Sequence, residues 1–335
     1  MKKSLLALAV LASFASAASA QSSVTLFGGL DLNLRYAKSS GATLKTMGTD
    51  GIYSSRWGVR GVEDLGGGLK AGFWLEAAIN PDAGTTNAAR YWHRRTSVSL
   101  MGDFGEVRLG RYLTNQFTAY ADFDPFGTNG VGDVNKMHQF MGSGVSSGTR
   151  ADNIVGYFLP GNLGGIYGSA EVAAGEGAIG NKYVGVRLGY AAGPLNVSGA
   201  FANVTAGGSD FKRTTFSGSY DLGVAKLTGA YTQGKWQARK QTVVQIGALV
   251  PVGSTGTFKA SYTSGNANTA AEAVTGDSKQ FAVGYIHDLS KRSALYGTLS
   301  RVSNSGRAAV GVSGSPTVRA GQASTGFEVG VKHTF

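Results

Sequence analysis

VTLFGGLDLNLRY, from Val24 to Tyr36, decides the fold class. Val24, Leu26, Gly28, Leu30, Leu32, Leu34 and Tyr36 fall on one face of an extended chain, and Thr25, Phe27, Gly29, Asp31, Asn33 and Arg35 fall on the other. Strict period-two alternation over such a length describes a strand with one apolar and one polar face. It is long for a strand of a soluble protein and long enough to cross a bilayer at a tilt. The same alternation returns in Ile52 to Glu63, Leu69 to Ala77, Tyr91 to Leu100 and Glu106 to Arg111. After a long interruption it resumes in Ala151 to Phe158, Ile166 to Ala173, Lys182 to Tyr190, Leu195 to Asn203, Phe211 to Asp221 and Val224 to Gln233. It ends with Thr242 to Val250, Thr257 to Thr263, Lys279 to Asp288, Ala294 to Ser303 and Thr325 to Phe335, about sixteen strands in all.

Short connections such as Gly66 to Gly68, Gly102 to Phe104 and Gly193 to Pro194 alternate with long polar ones. The long ones are Ala37 to Gly51, Ile79 to Arg90, Ala174 to Asn181, Ala206 to Asp210, Gly265 to Ser278 and Asn304 to Ser324. An even strand count with such segregated loops is the pattern of an all-β, transmembrane, antiparallel up-and-down β-barrel. The last strand sets Phe327, Val329, Val331, His333 and Phe335 against Glu328, Gly330, Lys332 and Thr334. It is regular enough to close on the strand from Val24 and leave no edge in lipid.

Leu113 to Arg150 interrupts the pattern. An irregular segment of this length inside a compact domain is functional or disordered. Its aromatics Phe117, Tyr120, Phe123, Phe126 and Phe140, its acids Asp122, Asp124 and Asp133 and its glycines suit a loop that packs one side on a wall and turns the other to water. The expectation is that it folds into the barrel and narrows it.

Lys2 and Lys3, the apolar run Leu5 to Phe14 and Ala18-Ser19-Ala20 have the layout of a cleavable export signal. Residues 1–20 are therefore read as a signal peptide and 21–335 as one barrel domain; an uncleaved anchor is the alternative. After Gln21 no run of 18 apolar residues occurs. Cysteine is absent, which removes disulfide and thiol chemistry. The full chain carries +11; taking two leader lysines from 31 basic residues leaves 29 against 20 acids, or +9. For an exported chain this excess points to anionic lipid or anionic solutes rather than nucleic acid.

QSSVTLFG (Gln21 to Gly28), SSRWGVRGVEDLGGGLKAGFWLE (Ser54 to Glu76), FGEVRLGR (Phe104 to Arg111), HDLSKRSALYG (His287 to Gly297) and the ending EVGVKHTF carry a resemblance to the general-diffusion porins of beta-proteobacteria, the anion-selective group. The resemblance implies a sixteen-stranded barrel, a homotrimer in the outer membrane amid lipid and lipopolysaccharide, and a third outer loop folded into each pore. It also implies an arginine cluster on the pore wall at the constriction, passing small anionic and hydrophilic solutes. By motif that cluster contains Arg56, which alternation independently turns inward, then one of Arg94 and Arg95, and Arg150 at the end of the loop. Parity favours Arg95 and the motif favours Arg94, so both stand. Arg60 and Arg108 are further candidates on the basic wall, and Asp122, Asp124 and Asp133 are candidates for the acidic side.

Other readings compete. The arginines serve instead as braces if they only pair with Asp122, Asp124 or Glu76. A substrate-specific anion channel would use the loop aromatics as a track. A barrel enzyme needs a nucleophile, base and orienting group together, and His93, His138, His287 and His333 form no such motif. A purely structural barrel would pass no current. No cofactor is expected, and scattered acids such as Asp31 and Asp50 lack metal-ligand spacing.

Overall fold

The computed structural model describes residues 23–335, so the signal-peptide reading of 1–20 lies outside the described residues. Its strands are β1 (Ser23–Ser39), β2 (Ala42–Thr49), β3 (Arg56–Gly66), β4 (Leu69–Asn80), β5 (Thr85–Thr86), β6 (Arg95–Gly102), β7 (Gly105–Leu113), β8 (Arg150–Phe158) and β9 (Ile166–Ala173). They continue as β10 (Tyr183–Ala192), β11 (Leu195–Ala206), β12 (Ser209–Asp221), β13 (Lys226–Trp236), β14 (Arg239–Val252), β15 (Gly256–Ala267), β16 (Asp277–Asp288), β17 (Ser293–Ser305) and β18 (Ser324–Thr334). Neighbours pair antiparallel throughout, and β1 pairs with β18 from Gly29↔Thr334 to Ser39↔Ser324, which closes the sheet. β2 and β3 both lie against the same side of β1, beside its outer and inner halves respectively, so they are one stave broken at residues 50–55. β5 only extends the end of β4, which pairs directly with β6. The result is a closed barrel of sixteen staves.

Alternation puts polar side chains inside and apolar ones outside. Along β1, Asp31, Asn33, Ala37 and Ser39 are buried while Leu26, Leu30, Leu34 and Tyr36 are exposed. Ser217, Thr232, Gln245, Gln280 and Ser300 are buried in the same way from other staves, against Phe216, Tyr231, Val244, Phe281 and Leu299 outside. An outer surface so apolar is stable only in lipid, and a barrel of this strand number is wide enough to hold an aqueous channel. Phe335 completes the closure: its N–H donates to the Gly28 carbonyl at 3.0 Å and its carbonyl accepts from the Gly28 N–H at 3.3 Å. Its ring covers Gly28, where an added Cβ would lie 2.6 Å from Cζ.

Three expectations about connections need correction. Ala37 to Gly51 is not a long loop, because the ladder runs on to Ser39 and resumes at Ala42 after a turn at Ser40 and Gly41, both at positive φ. Ala206 to Asp210 is likewise a tight turn at Gly207 and Gly208, and Trp236 pairs with Arg239 across another. Loop lengths therefore segregate less cleanly than the polarity of these stretches suggests, since strands that rise past the lipid band become polar without ceasing to pair. The strand expected from Tyr91 begins at Arg95. Tyr91 and Trp92 instead cluster with Trp57, at ring-centroid distances of 4.9 to 6.5 Å.

Candidate functional site

Residues 114–149 leave β7 and return at β8, with a short helix at Asn115–Ala121 and a single 3-10 turn at Asn135–Met137. Their partners are lumen-facing side chains. Glu171 accepts from the Asn115 N–H at 2.9 Å, Ser217 Oγ donates to the Ala119 carbonyl at 2.6 Å, and Gln245 Nε2 donates to Asp124 at 2.8 Å. Farther round the wall Glu328 accepts from the Val131 N–H at 3.0 Å, and Gln241 accepts from the Gln139 N–H at 2.9 Å. Each of these buried polar groups would cost a few kcal/mol without its partner, so the tethers act together with the apolar contacts. Phe117, Tyr120, Val134 and Met137 pack with Ala230 and Val243, and Val131 packs with Ala37, Val302 and Val312.

Glycines on the wall make the seat. A Cβ at Gly247 would lie 2.3 Å from Pro125 Cγ, at Gly284 3.1 Å from the Phe126 ring, and at Gly326 2.8 Å from Val131. Only a residue without a side chain lets the loop approach so closely. The loop therefore lies along β9 to β18, and the remaining passage runs between it and β3, β4, β6, β7 and β8.

That passage is a cavity of ≈490 Å³ lined by six guanidinium groups, Arg56, Arg94, Arg95, Arg108, Arg150 and Arg187, against three carboxylates, Glu76, Asp122 and Glu171. Glu76 binds two of the arginines, Arg94 at 2.6 Å and Arg56 at 3.2 Å, and accepts from Trp74 Nε1 at 3.0 Å. Arg108 pairs with Glu106 at 2.8 Å and Arg187 with Asp122 at 2.6 Å. Among the described residues, Arg95 and Arg150 have no carboxylate within salt-bridge distance. Arg95 donates to Ser97 Oγ at 2.9 Å and lies over the Trp74 ring at 4.4 Å, and Arg150 donates to the Arg94 carbonyl at 2.9 Å. Aromatic faces brace other members, with Arg56 4.3 Å from the Tyr53 centroid and Arg108 4.0 Å from that of Phe158. A guanidinium held by ring and hydrogen bond keeps its position and its charge, because arginine does not deprotonate in proteins.

The sequence left Arg94 and Arg95 open, and both line the cavity. Arg95 follows strand parity, while Arg94 precedes the strand, where alternation does not bind it. Arg60 sits one step inward, over Phe27 and Trp74, in an adjoining ≈400 Å³ cavity that also touches Arg95 and Arg108. Of the acids, Asp122 is in the cavity, although its partner is Arg187. Asp124 and Asp133 are elsewhere, contrary to expectation. Asp124 accepts from the Phe126 and Thr128 N–H groups, and Asp133 accepts from the Asn135 N–H. Both serve the loop's own turns, as Asp does wherever free backbone donors lie two to four residues on, and Asp124 also accepts from Gln245 on the wall. Burial raises the Asp124 carboxyl and raises that of Asp133 to about 6, with Lys136 opposing the latter. Burial and then the charge of Arg150 lower His93, and burial and then Arg213 hold His138 well below the usual imidazole range.

Sequence reasoning did not single out Arg187 and Glu171. Arg187 was legible, since Val184, Val186, Leu188 and Tyr190 turn outward around it. Arg111 and Asp152, which pair at 2.7 Å beside the cavity, were missed as well.

Known proteins agree with this architecture. The chain is 40% identical over all of both sequences to outer membrane porin protein 32 of Delftia acidovorans. A solved structure, the anion-selective porin from Comamonas acidovorans, matches with a TM-score of 0.86 at 37% identity, over 94% of this chain and 100% of that one. In-vitro folded OmpT of Vibrio cholerae, in a trimer form, matches with a TM-score of 0.68 over 94% and 99% of the two chains, and at 16% identity it shows the fold alone. The family model described as Gram-negative porin matches residues 7–307, and the chain belongs to that family of outer-membrane diffusion channels rather than to any class of enzyme.

Proposed function

We propose that this channel favours anions, and that Arg56, Arg94, Arg95 and Arg150 set the preference at the passage beside the third loop, with Arg60 and Arg108 extending it along the wall. One observation carries the reading: in the narrow passage guanidinium groups outnumber carboxylates, and among the described residues Arg95 and Arg150 have no carboxylate within salt-bridge distance. Glu76 neutralises only one of its two arginines. Charges in wide vestibules are screened over about 8 Å at physiological ionic strength, but in a passage of that scale every ion comes within range. Rings of arginine are a common device of anion pores, and they work because the attraction is weak enough for the ion to leave. A likeness to the anion-selective Comamonas porin supports the same preference.

The apolar outer wall packs on lipid, with lipopolysaccharide on the outer leaflet, and on copies of the same chain. We take the assembly to be a homotrimer, as the resemblance to the trimeric porins implies. The test is Arg56→Glu in a planar bilayer under a salt gradient. The zero-current potential should move toward the cation side; an open channel with an unmoved potential would remove Arg56 from the filter.

A further inference from the structure

Behind the third loop, away from the passage, lies a buried cation without a counter-charge. Arg213 on β12 points into the barrel and is 2% exposed, with no carboxylate in salt-bridge distance among the described residues, and its Nε and Nη1 have no hydrogen-bond partner. Rings cover the guanidinium, Phe140 of the loop at 4.5 Å and Phe211 of the wall at 5.3 Å. Ring faces shield the plane of the group and leave its N–H edge free. They contribute about 2 kcal/mol or more to a desolvated cation, against a burial cost of several kcal/mol, and they do not meet its N–H groups.

His138 lies two residues before Phe140 in the loop, near enough to feel the Arg213 charge. It is 6% exposed, stacks on Tyr120 with centroids 3.7 Å apart, and has no partner for either ring nitrogen. Tyr120 is occupied elsewhere, its hydroxyl donating to Asn135 Oδ1 at 2.6 Å. The residues paired with Arg213 on the neighbouring strands are the small Ala202 and Gly234, and the Phe211 ring and Met141 lie over Gly234.

We propose that a small monovalent anion of the halide class binds between Arg213 Nε and Nη1 and the N–H of His138, and that it fastens the third loop to the wall from behind. Such an ion supplies what water does not, a charge opposite to the guanidinium, and its acceptor capacity meets donors from both the wall and the loop. Burial and the Arg213 charge hold His138 neutral, so it offers one N–H and adds no second cation. The site is separate from the conducting cavity, whose lining includes neither residue.

The test uses the whole protein in detergent and in crystals. Crystals soaked in bromide should show an anomalous peak within hydrogen-bond reach of Arg213 Nε and Nη1. Those nitrogens bonded to waters, with no bromide peak, would overturn the proposal. In solution the unfolding midpoint of the wild type should be higher in chloride than in gluconate at equal ionic strength, since gluconate is a far larger anion than a halide. Arg213→Met should lose that shift, His138→Phe should reduce it while keeping the stack on Tyr120, and Arg150→Gln should retain it. Equal wild-type midpoints in the two salts, or loss of the shift in Arg150→Gln, would contradict the site.

Discussion

Arg150 is the sharpest place to test the electrostatic account, because it lines the passage and, among the described residues, no carboxylate lies within salt-bridge distance of it. Its Nε is held by the Arg94 carbonyl at 2.9 Å, so the guanidinium is positioned by backbone. A monovalent ion passing about 4 Å away gains or loses about 1 kcal/mol at the dielectric of water, and screening over about 10 Å in 0.1 M salt removes roughly a third of that. An anion is favoured and a cation disfavoured by the same amount, so the two differ by about 1.3 kcal/mol, close to tenfold. Arg150→Gln should therefore lower the chloride-to-potassium permeability ratio by about tenfold, and a lower effective dielectric in the passage would make the loss larger. The assay is the zero-current potential of single channels in a potassium chloride gradient. Arg150→Lys keeps the charge and should stay within about twofold of wild type, as should the double variant Arg187→Gln with Asp122→Asn, which removes a neutral pair. An unchanged ratio in Arg150→Gln at unchanged conductance would refute the reasoning. Equal losses in the Gln and Lys variants would instead assign Arg150 to loop placement.

Gly247→Val should reduce single-channel conductance, since a side chain there displaces Pro125 from the wall toward the passage; conductance equal to wild type would mean that the loop does not rest on Gly247. His138 supplies a pH prediction. With its folded pKa held below the ordinary value, stability is complete above about pH 6.5 and is lost as pH falls and the unfolded chain takes up the proton first. The melting temperature of the wild type should then drop more between pH 7 and pH 5 than that of His138→Phe, and parallel curves would contradict the burial of a neutral imidazole.

The barrel was legible because its rule is local: in β1 the inward Asp31, Asn33 and Arg35 and the outward Leu30 and Leu34 follow from parity alone. Parity failed where pairing stops. Arg94 lies one residue before β6, and no alternation argument reaches it. Turn lengths were misjudged at Ala37 to Gly51 because Lys38, Ser40 and Lys45 are polar in a hairpin as they would be in a loop. The third loop was visible as an interruption, but its seat was not. Gly247, Gly284 and Gly326 matter through contacts far away in sequence, and Asp124 and Asp133 hold turns, with Gln245 also on Asp124, that only coordinates reveal. Arg213 and His138 are unremarkable in sequence, and only burial without partners marks them out.

The central claim is that fixed positive charge in the narrowest part of the passage selects the ion. Its most direct test is the zero-current potential of the wild-type channel at one fixed gradient ratio, measured from about 0.1 M to about 1 M salt, over which the screening length falls from about 10 Å to about 3 Å. The account predicts an anion preference that is strong in dilute salt and fades as salt rises. A preference for cations, or one for anions that does not change with ionic strength, would contradict it.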